Sequence, residues 1–249
     1  MKTVNYDKNA LKIISEVSRI VKTKDGNTPV KIVKDDEGIH IKAGNGPKTL
    51  VFTLDAPSES FNFEGDNICF YNYEEFFNFF SMMDEPTIYQ GVVNEGEANE
   101  TEAVVIANSN NRRRVVYPLA SQEVIKGHIN KVGWKNTDAS FILTTDNLVQ
   151  LKKVVGLLNG KSNNISFSFA NSEVNVIAKT NANDNTYEDV FALTEPVEEE
   201  FSITISDEVF KFLSNIDYTV EVSKVGVIRL NFEIGAVAVS IFVTSIEEE

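Results

Sequence analysis

A short amphipathic helix followed by strands occurs four times along this chain, and the four occurrences form two matching pairs. The first and third helix candidates begin 139 residues apart, and the second and fourth begin 134 residues apart, in a chain of 249 residues. A near-half period in a strand-rich chain predicts two tandem copies of one domain. The four candidates are Asp7–Val21, Asn72–Met83, Asp146–Asn159 and Ser206–Ile216.

The segments between the helix candidates alternate apolar and polar residues with the period of two that is typical of antiparallel strands. Pro118–Thr137 has little periodicity and is predicted to be a surface connector. We therefore predict an α+β protein with domains at 1–117 and 138–249, each with antiparallel sheets and two short helices. The strand candidates are Ile39–Lys42, Thr49–Leu54, Ile88–Val93, Ala103–Ala107, Arg114–Tyr117, Ile165–Phe169, Val174–Lys179, Val190–Leu193, Phe201–Ile205, Tyr218–Val222, Val227–Phe232 and Val237–Val243.

The formal net charge of −14 argues against nucleic acid as a partner, unless the charges are unevenly placed. They are uneven: Asp7–Lys22 and Asp146–Lys161 each carry a net charge of +2, whereas the second and fourth helix candidates are acidic. The chain has no apolar run long enough for a membrane helix and no secretion signal at its start, so we expect a soluble protein. The lone Cys69 is expected to be a small buried hydrophobe.

The first and third helix candidates place lysines and arginines beside an apolar stripe that should face a sheet. On a single helix such lysines usually form an ordinary solvated face. Two helices at equivalent repeat positions with the same basic excess, in an acidic chain, favour a functional basic surface. The basic stripe of the first helix is Lys8, Lys12, Ser15 and Arg19, and its apolar stripe is Leu11, Ile14, Val17 and Val21; the third helix has Leu148, Leu151, Val155 and Leu158 with Lys152 and Lys153 pointing away.

The sequence contains no catalytic signature. It has no Walker loop, no GxGxxG, no HExxH and no GxSxG. The two histidines, His40 and His128, fall in a strand and in the connector, and the carboxylates at 35–37 are predicted to form a charged hairpin turn. The acidic end at 247–249 is typical of a solubilising tail. We predict neither an enzyme, nor a cofactor, nor a metal site.

Three segments carry a resemblance to a known family. Asn9–Ile14 and Asp146–Val155 look like the first helix of each domain of the DNA sliding clamps of the PCNA and tailed-phage type. Val239–Glu249 is similar to the last strand and acidic tail of a clamp. The signature stretches of cellular PCNA are missing, so a phage or other viral clamp is the prediction. The expected location is the host cytoplasm for a phage protein, or the nucleus for a eukaryotic one.

The resemblance implies a homotrimeric ring of six domains that encircles duplex DNA and gives a DNA polymerase its processivity. Contacts made only to phosphates carry no sequence information and let the duplex slide. A polymerase and a clamp loader would bind the ring through short apolar peptide motifs. The residues predicted to face DNA are Lys8, Lys12, Arg19, Lys22, Lys152, Lys153, Lys161 and Lys211.

In the family, the strand before the connector pairs with a strand in the second domain of the next subunit. Here the resemblance implies Arg112–Tyr117 and Val174–Lys179, although the arginines at 112–114 could instead bind nucleic acid. Trp134 is either a partner anchor or a residue that pins the connector. The predicted subunit interface is Arg112, Arg114, Val116, Val174, Val176 and Ala178, and the predicted partner pocket is Val124, Ile125, Val132, Trp134, Val243 and Ile246.

Two other function classes stay open at the level of sequence. A monomeric processivity factor or single-strand-binding factor could have this fold without closing a ring, but it should show a larger continuous basic face. A phage structural or interaction module without nucleic acid would explain the acidity and the strands. It would not explain the two matched basic helices.

Overall fold

The computed structural model describes residues 1–45, 47, 49–94, 100–110, 112–125, 133–158, 164–179 and 186–246. The chain forms two compact units. The first comprises Met1–Lys48, Phe52–Lys131 and Ile234–Ala238, and the second comprises Thr49–Val51, Val132–Glu233 and Val239–Glu249. The predicted domain bounds at 117 and 138 stay a prediction.

Among the described residues of its first half, the chain forms two α-helices and nine strands. The strands β5, β1, β7, β8 and β9 are hydrogen-bonded in that order in one antiparallel sheet, and β4, β3, β2 and β6 follow one another in another. A 3-10 turn at Arg19–Val21 extends the first helix. The elements are β1 Lys2–Tyr6, α1 Lys8–Ser18, β2 Val30–Lys34, β3 Ile39–Gly44, β4 Leu50–Ala56, β5 Phe61–Asn62, β6 Asn67–Phe70, α2 Tyr73–Ser81, β7 Thr87–Asn94, β8 Glu100–Ala107 and β9 Arg114–Pro118.

In the described part of the second half there are one α-helix and eight strands. The order β13, β12, β11, β14 forms one antiparallel sheet, and β10, β15, β16, β17 are neighbours in another. A 3-10 helix at Asp207–Lys211 lies between β14 and β15. The elements are β10 Ala139–Leu143, α3 Thr145–Leu158, β11 Asn164–Ala170, β12 Glu173–Lys179, β13 Thr186–Ala192, β14 Phe201–Ser206, β15 Tyr218–Ser223, β16 Val227–Ile234 and β17 Val237–Thr244.

The two halves have the same topology. Strands β1–β4 match β10–β13, strands β6–β9 match β14–β17, and α1 matches α3. With this matching, the strand order β4-β3-β2-β6 becomes β13-β12-β11-β14. The order β1-β7-β8-β9 becomes β10-β15-β16-β17 in the same way. The duplication and the α+β class predicted from the sequence are therefore confirmed. The two halves are not identical, because β5 has no counterpart in the second half. In addition, the fourth helix candidate is only a five-residue 3-10 helix rather than an α-helix over Ser206–Ile216.

Aromatic side chains fill the interior of both halves. In the first, Phe70 packs with its ring centroid 4.6 Å from that of Phe76, and both are fully buried. In the second, Phe141 stacks on Phe191 at 6.0 Å. Cys69 is buried, as expected. Within the described ranges, no helix is both long and apolar enough to cross a membrane.

Candidate nucleic-acid interface

The first helix presents its cations to solvent and buries its apolar stripe. Asp7 caps α1, and its carboxylate accepts a hydrogen bond from the Asn9 N–H at 2.8 Å, which satisfies one of the free donors at the helix start. The predicted cations of this segment are all exposed, and the predicted apolar residues are all at most 5 % exposed. The exposed set is Lys8, Lys12, Arg19 and Lys22, and the buried set is Leu11, Ile14, Val17 and Val21.

The predicted basic stripe contains one error. Ser15 is only 3 % exposed, so it does not belong to the solvent face. The buried face of α1 is wide, and the helix packs against α2. Ser18 is also buried, and its hydroxyl donates to the Ser15 carbonyl at 2.9 Å, which satisfies this polar group without solvent.

Most cations on this helix face have an acidic partner. The Glu74 carboxylate of α2 accepts from Arg19 Nε at 3.1 Å and from Lys22 Nζ at 3.2 Å. Lys12 Nζ lies 3.7 Å from the Glu16 carboxylate on the next helical turn. Among the residues that the structure describes, Lys8 has no such ion pair.

A polar network fixes the start of α2. Asn72 caps the helix, and its Oδ1 accepts from the Glu75 N–H at 3.3 Å and from the Thr28 hydroxyl at 3.0 Å. The same hydroxyl oxygen of Thr28 accepts from the Glu74 N–H at 2.8 Å. Thr28 is fully buried, so the first turn of α2 is held on the loop that precedes β2.

The last residues of β9 join this network. The Tyr117 hydroxyl donates to the Asn72 carbonyl at 2.7 Å and accepts from the Asn72 N–H at 3.1 Å. Burial raises the pKa of Tyr117 to about 12, so the hydroxyl keeps its proton and remains a donor. The strand β9 and the helix α2 are thus joined through a single side chain.

The helix α3 of the second half also buries an apolar face, but it has fewer exposed cations than α1. In α3, Leu148 and Leu151 are buried as predicted, whereas Val155 is only partly buried. Lys153 is exposed, and within the described part of the chain it has no ion pair. Leu158 ends the helix.

Lys152, by contrast, does not project into solvent. Its ammonium donates to the Leu213 carbonyl and to Asn215 Oδ1, the latter at 2.7 Å, and burial lowers its pKa. The ammonium group of Lys152 therefore binds the loop that follows the 3-10 helix, at Leu213 and Asn215. Lys211 is exposed and lies 4.0 Å from Glu208, and Lys161 lies outside the described residues.

One of the two predicted interface strands is not a sheet edge. The strand β9, with Arg114 and Val116, ends its sheet, and the arginines beside it are exposed. The strand β12, however, is hydrogen-bonded to β11 on one side and to β13 on the other. Its backbone has no free side for another subunit. Its predicted interface residues, Val174, Val176 and Ala178, are at most 1 % exposed.

The end strands of that sheet are β13 and β14, and β13 is the one next to β12. This strand carries Glu188 and Asp189, and its Val190 is 53 % exposed. The sequence predicted a strand only at Val190–Leu193, whereas β13 spans Thr186–Ala192. Whether a strand is internal or at the edge depends on pairing with distant segments. Local pattern therefore could not distinguish β12 from β13 as the edge strand.

The predicted partner-pocket residues have different environments. In the first unit, Val124 is 49 % exposed and Ile125 is 6 % exposed. In the second, Val243 is 2 % exposed and belongs to the core, whereas Ile246 lines a cavity of about 570 Å³ on the sheet that contains β11, β12 and β14. Val132 lies outside the described residues. Neither Ile125 nor Val243 offers an exposed side chain to a peptide.

Trp134 packs on residues of its own unit. The guanidinium of Arg229 lies 4.6 Å from the centre of its ring, and the ring of Phe242 lies 6.1 Å away. Arg229 is itself bound by the carboxylate of Glu221 through its Nε at 2.7 Å. These contacts favour the structural alternative for Trp134, in which it attaches the connector to the sheet.

The carboxylates at 35–37 and His40 lie at the β2–β3 turn and on the strand that follows it. The carboxylates at 35–37 lie in the β2–β3 hairpin turn, as predicted: Asp35 Oδ1 accepts from the Glu37 N–H at 2.9 Å and from the Gly38 N–H at 3.2 Å. His40, on β3, bonds to the carboxylates of Asp35 and Asp55. In the part of the chain that the structure describes, no three His, Cys, Asp or Glu side chains are grouped so that they could hold a metal ion.

Comparison by sequence finds no relative of this chain. No family model matches it, and no curated protein matches it.

Comparison by structure finds close matches over nearly the whole length. The proliferating cellular nuclear antigen (PCNA) of Entamoeba histolytica has a TM-score of 0.72 at 11 % identity, with 98 % of each chain covered. The PCNA of A. fulgidus, solved with the C-terminal region of FEN-1 bound, has a TM-score of 0.69 at 12 % identity, with 99 % of this chain and 98 % of that chain covered. The PCNA2–PCNA3 complex of Sulfolobus tokodaii gives 0.67 at 10 %, with 98 % and 99 % covered. The chain therefore has the PCNA-like clamp fold of two tandem domains.

Proposed function

We propose that this protein is a sliding clamp, a non-enzymatic ring that encircles duplex DNA and tethers a DNA polymerase and other DNA-processing proteins. The observation that carries the proposal is the repetition of one strand order in the two halves of a PCNA-like fold. The first helix of each half has at least one exposed lysine. Those cations, led by Lys8, Lys12 and Lys153, would face the phosphates. Because phosphate contacts carry no sequence information, the duplex could move through the ring.

Open sheet edges support assembly into a ring. An unpaired edge normally invites aggregation, and proteins cover it or use it for assembly. Loop N–H groups bond to three of the end strands: Ala120 to the Cys69 carbonyl of β6, Thr194 to the Ser140 carbonyl of β10, and Ile246 to the Thr204 carbonyl of β14, at 2.8–2.9 Å. Among the described residues, the end strands β9 and β13, of five and seven residues, have no such hydrogen bond from a loop N–H to their outer edge.

The duplication indicates how the open edges would pair. By topology β9 is the counterpart of β17, and β13 is the counterpart of β4. Within the second compact unit, the Thr244 N–H at the end of β17 bonds to the Thr49 carbonyl just before β4, at 3.0 Å. We infer that the equivalent contact of β9 with β13 is made with a second copy of the chain. We therefore place β9 of one subunit beside β13 of the next in a homotrimer.

Charge complements this pairing. The β9 side carries Arg112, Arg113 and Arg114, all exposed, and the β13 side carries Glu188 and Asp189. Opposite charges on neighbouring edges favour association and oppose pairing of β9 with another β9. The arginines are thus assigned to the subunit interface, the first of the two functions that the sequence allowed.

Partner proteins would bind through short peptides with apolar anchors. The A. fulgidus PCNA was solved with the C-terminal region of FEN-1, which is the kind of partner segment expected here. Of the residues predicted for this contact, Val124 is exposed, and Trp134 and Ile246 are each partly exposed. A polymerase and a clamp loader are the proposed partners. A phage or viral source and a cytoplasmic location stay predictions.

The test combines mass in solution with retention on DNA. Sedimentation should give three times the chain mass of 27.8 kDa. The ring, once loaded, should remain on circular DNA and be lost from the same DNA after linearisation, since only a topological link depends on free ends. A monomeric mass at micromolar concentration, or equal retention on both DNA forms, would contradict the proposal.

A further inference from the structure

The helix face of the first unit carries its own counter-charge. Glu74 of α2 binds both Arg19 and Lys22, one through each carboxylate oxygen, at 3.1 and 3.2 Å. The Glu74 side chain is 21 % exposed, against 52 % and 46 % for its two partners. The Glu74 carboxylate is therefore the least exposed of the three groups, and the two cations lie on its solvent side.

The backbone holds Glu74 in this position. Its N–H donates to the buried Thr28 hydroxyl, within the polar network around Asn72 that fixes the first turn of α2. Neighbouring Glu75 has the same charge, but its side chain is not bound to Arg19 or Lys22. The two glutamates thus give a natural comparison between a carboxylate that engages the cations and one that does not.

We propose that Glu74 lowers the affinity of the clamp for duplex DNA, because its ion pairs with Arg19 and Lys22 compete with phosphate for these two cations. This rests on the proposed function. A phosphate can use either cation fully only by displacing the carboxylate, so each gives less binding free energy than an unpaired cation. Because affinity for duplex and its dependence on salt both grow with the number of phosphates neutralised, the restraint keeps binding weak. Weak binding suits a ring whose attachment is topological and whose duplex must move.

A purely structural role for Glu74 predicts different behaviour. Exposed ion pairs contribute little to stability, and α1 is already held by its buried apolar stripe. If the pair only supported packing, then replacing Glu74 would change the temperature of unfolding and leave the salt dependence of DNA binding unaltered. The salt dependence therefore separates the two roles.

The experiment measures the affinity of the assembled protein for a short fluorescent duplex over a range of salt concentrations. Glu74→Gln should bind severalfold more tightly than the unmodified protein, and the plot of log affinity against log salt should steepen by about 0.9 for each additional phosphate that the protein neutralises. Glu75→Gln is the matched control, because it makes the same change in net charge one residue away. Its effect should be clearly smaller. Equal effects of the two variants would overturn the proposal.

A second comparison uses two single variants that leave Glu74 unchanged, so it does not depend on the folding of a Glu74 variant. Arg19→Gln and Lys8→Gln remove one positive charge each from exposed positions of the same segment, but only Arg19 is bound by Glu74. Arg19→Gln should weaken binding less than Lys8→Gln does. In the Glu74→Gln background the loss from Arg19→Gln should grow, as a double-mutant cycle would show. An equal loss from both single variants would also overturn the proposal.

The same assay distinguishes this proposal from the function on which it rests. If Lys8→Glu and Lys153→Glu weaken binding while Glu74→Gln matches Glu75→Gln, the clamp function stands and the restraint by Glu74 is wrong. If none of these variants alters binding to duplex, the helix faces do not contact DNA and both proposals fall.

Discussion

His40 shows how a single side chain can join three segments of a sheet. Its Nδ1 lies 2.6 Å from Asp55 Oδ1 on β4, and its Nε2 lies 3.0 Å from Asp35 Oδ1 in the β2–β3 turn. Burial alone would lower the pKa of His40, but the hydrogen bonds to Asp55 and Asp35 outweigh it and raise the pKa. The pKa of Asp35 is lowered, mainly by the hydrogen bond from the Glu37 N–H and then by His40.

We expect the contribution of His40 to stability to fall as the pH rises. A group whose pKa is raised on folding stabilises the protein below its unfolded pKa of about 6.5, and the effect is lost as the pH passes through the folded pKa. The lowered pKa of Asp35 works in the opposite direction, and its contribution is lost in acid. Urea unfolding of the unmodified protein should therefore show a free energy of unfolding that declines as the pH rises above about 6.5.

His40→Asn should flatten this decline, because an amide does not titrate. His128→Asn is the matched control, since His128 is the other histidine of the chain. A decline that persists in His40→Asn and disappears in His128→Asn would contradict the assignment.

At the scale of single elements, local patterns predicted the three α-helices and most of the strands, but they missed β1, β2, β5, β6 and β10. Tertiary packing decided the roles of the elements. The apolar stripe of α1 and the exposed Lys8, Lys12 and Arg19 follow from helical periodicity, and the structure agrees. Ser15 was misplaced because a small polar residue can be buried where two helices pack, which no local pattern shows. The binding of Arg19 and Lys22 by Glu74 joins residues more than fifty positions apart, and that too is beyond local pattern.

The short fourth helix has a local explanation. Ser206 caps it, with its hydroxyl accepting from the Glu208 N–H, and it ends at Lys211. The residues that follow include Ser214, Asn215 and Asp217, whose side chains compete for backbone hydrogen bonds and disfavour a helix interior. Apolar periodicity alone extended this helix too far.

The proposed pairing of β9 with β13 can be tested by reversing charges. Arg114→Glu should weaken assembly, since it places like charges along the two edges. Adding Glu188→Arg should restore part of the assembly, because the signs are then exchanged. The measurement is the mass in sedimentation over a range of protein concentrations.

Lys135→Glu is the control for net charge in this series. Lys135 is exposed and lies outside both strands, so its reversal should leave the mass unchanged. Assembly that is equally insensitive to Arg114→Glu would exclude β9 as the subunit edge.

At the scale of the whole molecule, the duplication was the most reliable prediction from the sequence. Two halves with the same helix–strand succession were visible from periodicity, and the strand orders confirm them. The sequence could not show which strands end the sheets, and so the prediction named β12 where the structure has β13. The overall fold could thus be predicted from local patterns and a resemblance, whereas the interface required the strand pairing.

A ring held by two open edges should be stabilised by protein concentration. Assembly that involves only folded chains shifts unfolding by mass action. For a trimer of this size, a tenfold increase in concentration should raise the midpoint of thermal unfolding by about 2–4 °C. Calorimetry at two concentrations measures the shift.

Arg114→Glu should reduce this concentration dependence if β9 is the subunit edge. A midpoint that is the same at both concentrations for the unmodified protein would mean that the folded chain does not self-associate in that range.

The bond between Tyr117 and Asn72 has a thermodynamic consequence. The hydroxyl of Tyr117, near the end of β9, bonds to both backbone groups of the residue that caps α2. If β9 is a subunit edge and the start of α2 lies on the DNA side, association of subunits and binding of duplex share a coupling free energy through this contact. Such a coupling is reciprocal. Whatever factor DNA applies to the affinity between subunits, closure of the ring must apply the same factor to the affinity for DNA.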